Sequence, residues 1–304
     1  MYELIQLKTL GQLRNPVLIA GFAVRRRAGR LASNTLVYLV NEWAAEPFAK
    51  IDPEDFYDFT VRRPNVRLQD SKPVIDWPET TVYLASPPGS ERDFILLVGF
   101  EPNFNWGTFV NGIVAYMDAA GVKTLVNLRS LLGSVPHTRP APVVLSSTDL
   151  ELELQFGVQS RGSKYEGPTD IGGVLSAQVQ ALRWQTVELS VLQPNYFPRM
   201  PNAQASLALI RLLDRAFGTK TPLGSLEEAA ESQRKAIDES ISSDEATKST
   251  IRELEQAYDT GLERLDFLAP GAGRSLTLPP SEEVVQEVER LFREGGRLGD
   301  PGPD

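Results

Sequence analysis

One side chain in this sequence titrates near neutral pH, the lone histidine His137. It sits in Val135-Pro136-His137-Thr138-Arg139-Pro140, a proline-bracketed stretch that follows the apolar run Thr124-Leu125-Val126-Asn127-Leu128. A general base in that place would need a nucleophile and an acid within hydrogen-bond reach, and nothing in the sequence locates such a set. A loop histidine bonded to backbone is the favoured assignment. Arg139, between Thr138 and Pro140, carries the planar fork that binds carboxylate or phosphate. A salt bridge to a neighbouring loop or subunit is its favoured use. Glu101 follows a second apolar run, Phe94 to Phe100. Glu101 and His137 therefore end successive expected strands and could face one crevice, where Thr169 and Asp170 at a helix start would supply an anion site. The competing assignment makes Glu101, Thr169 and Asp170 turn and cap residues, and it is preferred.

Larger catalytic signatures are missing. There is no Walker A loop, no G-x-S-x-G elbow, no H-E-x-x-H and no G-x-G-x-x-G. With no cysteine, disulfides, thiolate metal sites and cysteine nucleophiles are excluded. One histidine rules out a histidine-rich metal centre, while a carboxylate-only site is still allowed. No metal site and no cofactor is the expectation. The first residues lack a charged-then-apolar signal pattern, and no apolar run approaches the roughly 20 residues that cross a bilayer. A soluble cytoplasmic protein without a membrane partner is the expectation. Charge is uneven. Residues 223–304 hold 9 Lys/Arg and 19 Asp/Glu, a net of −10, whereas residues 1–222 are at +1. That acidity argues against a nucleic acid partner. It also marks a boundary: an α/β core over 1–222 and an acidic helical extension over 223–304 with a frayed end.

These residues must be held by an alternation of strands and helices. Val17 to Phe22 reads as a first buried strand, and Gly29 to Trp43 as a helix. Arg25-Arg26-Arg27 between them would suit a phosphate site at a helix start, but no Gly-rich fingerprint accompanies it and a solvated basic turn is preferred. Pro47 to Ile51 is a short strand. The Pro-rich segment from Arg62 to Pro88 suggests antiparallel hairpins at a sheet edge. Phe94 to Phe100 is apolar throughout, as burial on both faces requires. Asn105 is placed to cap a helix running to Ala120, and the opening stretch follows as the next strand. Val143 to Ser147 and Leu150 to Phe156 are two further strand candidates. A helix capped by Asp170 reaches Trp184, a strand covers Thr186 to Leu192, and a helix capped by Asn202 reaches Phe217. The expected fold is α/β, with a mostly parallel central sheet flanked by helices. In the extension, Ser225 with Glu228 and Ser242 with Glu245 read as capping boxes. Ile251, Leu254, Tyr258, Leu262 and Leu265 have heptad-like spacing, which suits an antiparallel helical hairpin and self-association. A third helix is expected over Ser281 to Glu294.

Five pieces of sequence together resemble the proteasome assembly chaperone type 2 family, in its bacterial, actinobacterial-like branch. They are Gly99-Phe100-Glu101-Pro102 with Trp106, Val135 to Pro140, Tyr165-Glu166-Gly167-Pro168-Thr169, Asn202-Ala203, and Leu254-Glu255 with Tyr258-Asp259. The resemblance covers roughly residues 10–295. It implies a phosphorylase/hydrolase-like α/β core with a helical carboxyl-terminal extension. It also implies a homo-oligomer, a trimer, and relatives that hold proteasome subunits during assembly without catalysis. Chaperones of this type can end in a hydrophobic–Tyr–any tripeptide. The sequence here ends Gly302-Pro303-Asp304, so docking by that route is not expected.

The leading expectation is a non-enzymatic, chaperone-like protein that binds itself and, as candidate partners, proteasome subunits. Its candidate crevice or partner contacts are Glu101, His137, Thr138, Arg139 and Thr169. The alternative is an enzyme acting on a small anionic or nucleoside-like substrate at the same residues. A third is a structural homo-oligomer whose crevice binds a small ligand without turnover.

Overall fold

The computed structural model describes residues 5–6, 11–24, 29–158, 160, 165–196, 201–260 and 282–293. In chain order the elements are β1 (Ile5–Gln6), β2 (Val17–Ala23), α1 (Leu31–Glu42), β3 (Glu46–Ile51), β4 (Asn65–Gln69), β5 (Lys72–Asp76), β6 (Thr80–Ala85), β7 (Phe94–Phe100), α2 (Trp106–Ala119), β8 (Thr124–Gly133), β9 (Val143–Ser147), α3 (Leu150–Phe156), α4 (Ile171–Ala181), β10 (Gln185–Pro194), α5 (Ala203–Phe217), α6 (Gly224–Ser240), α7 (Glu245–Thr260) and α8 (Glu282–Arg293). The basic stretch Arg25 to Arg27, Leu262, Leu265, the Pro270 to Gly273 linker and the last residues lie outside the described set.

Eight strands form one sheet in the order β1-β3-β6-β7-β2-β8-β10-β9. The four at its centre, β7, β2, β8 and β10, are parallel. Antiparallel pairs flank them on both sides. The expected α/β architecture is borne out, and its cause is in the strands. Every residue of β2 and β7 is buried, which is what a parallel strand covered on both faces requires. Alternate residues serve opposite layers. Val17, Ile19, Phe94, Leu96, Val126 and Val187 pack with α1, α3, α5, α6 and α8 on one face. Leu18, Ala20, Ile95, Leu97 and Leu125 pack with α2, α4, Phe56 and Tyr57 on the other. Gly21 lets α1 close on β2. A Cβ there would lie 2.8 Å from the Ala32 carbonyl oxygen.

Several local expectations change. Leu150 to Phe156 is the helix α3, not a strand. Its Leu-Glu alternation has period 2, but Asp149 accepts from the Leu152 N–H at 3.0 Å and Gly157 ends the helix in the left-handed conformation. A cap and a stop outweigh so short an alternation. Of the Pro-rich segment, β6 joins the main sheet, whereas β4 and β5 form a separate two-stranded sheet. Asn105 precedes α2 in a left-handed conformation and makes no cap bond; its Nδ2 donates to the Asp55 carbonyl at 2.7 Å instead. Neither capping box forms. Ser225 Oγ bonds the Tyr38 hydroxyl at 3.0 Å, and α7 is capped by Asp244, which accepts from the Thr247 N–H at 3.1 Å.

The extension is joined to the core by apolar packing. Leu226 and Ala229 of α6 and Val288 and Phe292 of α8 belong to the same cluster as α1 and β2. Ile251 and Leu254 of α7 pack on Tyr196, Ile237 and Ile241. Among the described residues no helix is long and apolar enough to cross a membrane.

Candidate functional site

The four parallel strands end along one edge, the edge where open α/β sheets receive ligands. The candidate residues fall there in two groups, on opposite faces of the sheet. Glu101 bonds the start of α4 whereas His137 bonds Tyr196 and Asp238, so the two do not meet in the crevice expected of them.

Glu101 and Thr169 meet at the start of α4. Backbone pairing with Ala23 holds Glu101 directly after β7. Its Oε1 accepts from the Ile171 N–H at 3.1 Å, meeting one of the donors a helix start leaves open. Burial pushes the Glu101 carboxyl above its usual range, against the Ile171 bond and with Asp170 adding to the rise. Asp170 caps the helix through the Gly173 N–H at 2.8 Å and pairs with Arg129 at 2.8 Å. Arg129 also reaches Glu188 at 3.4 Å. Thr169 is exposed, with its hydroxyl against Gly173. Beneath this helix start lies Asn127 of β8, buried, its Nδ2 donating to Ser176 Oγ at 3.2 Å. Its Oδ1 is the one buried side-chain polar atom among the described residues without a hydrogen-bond partner. Gly172 crowds it, since a Cβ there would lie 2.7 Å from that oxygen.

His137, Thr138 and Arg139 form the second group and close onto the extension. His137 is 4% exposed, and both of its ring nitrogens are engaged. Nδ1 lies 2.8 Å from the Tyr196 hydroxyl and Nε2 lies 3.1 Å from Asp238 Oδ1. The backbone N–H of His137 also donates to Tyr196 Oη at 2.8 Å. The carboxylate can only accept, so Nε2 carries the proton and Nδ1 accepts from Tyr196. Burial holds the His137 pKa below its ordinary value, against the pull of Asp238. The Thr138 hydroxyl donates to Glu255. Arg139 grips Asp259 with two bonds, of 2.9 and 2.7 Å, and reaches Glu255 at 3.2 Å. The Tyr258 hydroxyl donates to the Pro140 carbonyl at 3.0 Å. The loop is thus clasped to α6 and α7. Beneath it, Val135, Leu192, Asn202, Gln233 and Ile237 enclose room for about one water molecule.

Chemically, the second group is a filled joint. The imidazole is desolvated and bonded on both sides, so it has no free nitrogen to offer a substrate. The first group has an anion-friendly helix start, yet its donors are taken by Glu101 and Asp170, both from this chain. Among the described residues no three His, Asp or Glu side chains are placed to share a metal ion. Tyr196 and Asp238 are the partners that local sequence patterns miss. Asn127 did carry a signal, as the amide in an otherwise apolar run.

The model of the PAC2 family matches residues 26–241. The chain belongs to the PAC2 family. A PAC2 family protein from Streptomyces avermitilis is 37% identical, with a TM-score of 0.70 over 76% of this chain and 98% of that one. A proteasome-assembly chaperone homologue from Mycobacterium tuberculosis is 34% identical, with a TM-score of 0.69 over 79% of this chain and all of that one. An archaeal proteasome activator from Pyrococcus furiosus shares the fold at 15% identity, with a TM-score of 0.62 over 78% of this chain and 97% of that one. No protein of curated function matches. Within this PAC2 chain the family match takes in the His137 loop and α6 and stops at Ile241. Glu255, Tyr258 and Asp259, which complete the clasp, lie beyond it.

Proposed function

We propose that this PAC2 family member is a chaperone-like, protein-binding protein without catalysis. It acts as a homo-oligomer, a trimer, in the cytoplasm, and its partners are proteasome subunits. Family membership supports the chaperone-like role, and so does the 34% identity to the mycobacterial proteasome-assembly chaperone homologue. The observation that carries the non-catalytic reading is His137, the sole histidine, buried and bonded through both ring nitrogens to Tyr196 and Asp238. A tagged chain co-expressed with proteasome subunits from the same source is expected to retain them on affinity purification and to speed their assembly. Absence of any proteasome subunit from the eluate would sink the partner assignment. Measurable turnover that disappears in a folded Glu101→Gln variant would sink the non-catalytic one.

One observation favours a second reading, a small-ligand site at the α4 start. Asn127 Oδ1 lacks a donor there, beside Arg129, Ser130 and Asp170. A ligand presenting an N–H or O–H would satisfy it. A thermal-shift screen of such compounds should then respond in the native protein and fail to respond in an Asn127→Ala variant.

A further inference from the structure

The β4–β5 hairpin contains no buried residue. Strand alternation puts Val66 and Leu68 of β4 on one face with Pro73 and Ile75 of β5, Val66 opposite Ile75 and Leu68 opposite Pro73. Trp77 extends this row, its ring 5.0 Å from that of Phe59. Val66 is 65% exposed, Leu68 74%, Ile75 47% and Trp77 46%. The other face is polar apart from Val74 and carries the Arg67–Asp76 ion pair at 2.8 Å.

We propose that this apolar face is where one copy of the chain packs against another. Three arguments select that occupant. An isolated two-stranded sheet is at best marginally stable in water. A hairpin that depends on a cover must find it in every folded molecule, and a copy of the same chain is always present in matching amount. Area is the second argument. The five side chains expose on the order of 450 Å² of largely apolar surface, more than half of the roughly 800 Å² per partner in a stable interface. The third is charge. Residues 61–79 carry four basic and three acidic side chains, a net of +1, so two copies can meet there with little net repulsion. Two other strongly exposed leucines, Leu150 and Leu154, sit beside Glu151 and Glu153 on α3. A self-contact there would bring like charges together. This inference rests on the homo-oligomer reading above and names its surface.

The test is the mass in solution of the full chain and of a Leu68→Glu variant, by analytical ultracentrifugation at micromolar concentration. The wild-type protein should sediment at a multiple of the 33.6 kDa chain. Leu68 is exposed, so the variant should keep its circular dichroism and melting temperature while associating at least ~10-fold more weakly. Leu154→Glu should leave the mass unchanged. A Leu68→Glu variant of wild-type mass would overturn the surface but leave the oligomer standing. A monomeric wild-type protein would overturn both, and capture of proteasome subunits would still be judged separately. Loss of that capture at unchanged mass would assign the face to the partner and also overturn the proposal. The chain has no cysteine, so a solvent-sensitive dye on Leu68→Cys gives an independent readout. Its emission should shift to the blue as concentration rises.

Discussion

His137 is a joint between a loop and a helix, and its pH response follows from that. Burial depresses its folded-state pKa, while the unfolded chain titrates at about 6.5. The stabilising contribution of neutral His137 is therefore complete above pH 6.5. It is lost as pH falls below that value toward the folded pKa, because the unfolded state then binds more protons. Asp238, Glu255 and Arg234 set the local field, the two carboxylates opposing the depression, and the Tyr196 hydroxyl bonds Nδ1. Urea denaturation between pH 7.5 and about 5 should show falling stability, and a His137→Asn variant should show a flatter profile over the same range. Tyr196→Phe removes the acceptor of the buried His137 N–H and should cost about 1–3 kcal/mol at pH 7.5. The histidine itself was legible in the sequence. Its partners were not, because Tyr196 lies 59 residues away and Asp238 101 residues away, and pairing across such distances leaves no local pattern. Arg139 was legible as a salt-bridging residue, with its partners on α7.

At the scale of elements, two of the sequence pieces that carry the family resemblance turn out to be physical partners. Val135 to Pro140 holds one half of the clasp, and Glu255, Tyr258 and Asp259 of α7 hold the other. An Arg139→Ala variant should leave the sheet intact and release α7. Hydrogen exchange should then speed up across residues 245–260 and remain unchanged in β2 and β7. The contact between α4 and β8 gives a second expectation. Gly172→Ala places a Cβ against Asn127 Oδ1 and should destabilise the protein by about 1–3 kcal/mol. In an Asn127→Ala background the same substitution should cost measurably less, which a double-mutant cycle in urea would show. Buried strands and long helices were readable because burial imposes periodicity on many residues at once. α3 was misread because its seven residues carry leucine and glutamate in alternation, while the decisive signals, Asp149 and Gly157, flank it. The Ser225 box failed for a tertiary reason. The serine bonds Tyr38 of α1 rather than its own helix.

Across the whole molecule, the helices beyond residue 222 are part of the cover of the sheet. Phe292 of α8 is 5% exposed within the cluster that α1 and α6 share. Phe292→Ala should therefore cost about 3–5 kcal/mol in global unfolding, as for a core aromatic. A loosely appended tail would show no change in the same measurement. The fold class was legible from alternating strands and helices; the strand order was not. Runs such as Val17 to Phe22 and Phe94 to Phe100 declare burial on both faces but do not name their neighbours. That order has a consequence during synthesis. β2 emerges from the ribosome early, yet both of its neighbours come late: Val17 pairs with Phe94 and with Thr124. At 5–20 residues per second, β2 waits about 4–15 s for its first partner strand. Through that interval an apolar strand with two unpaired edges is exposed to the cell, so the nascent chain itself needs shielding.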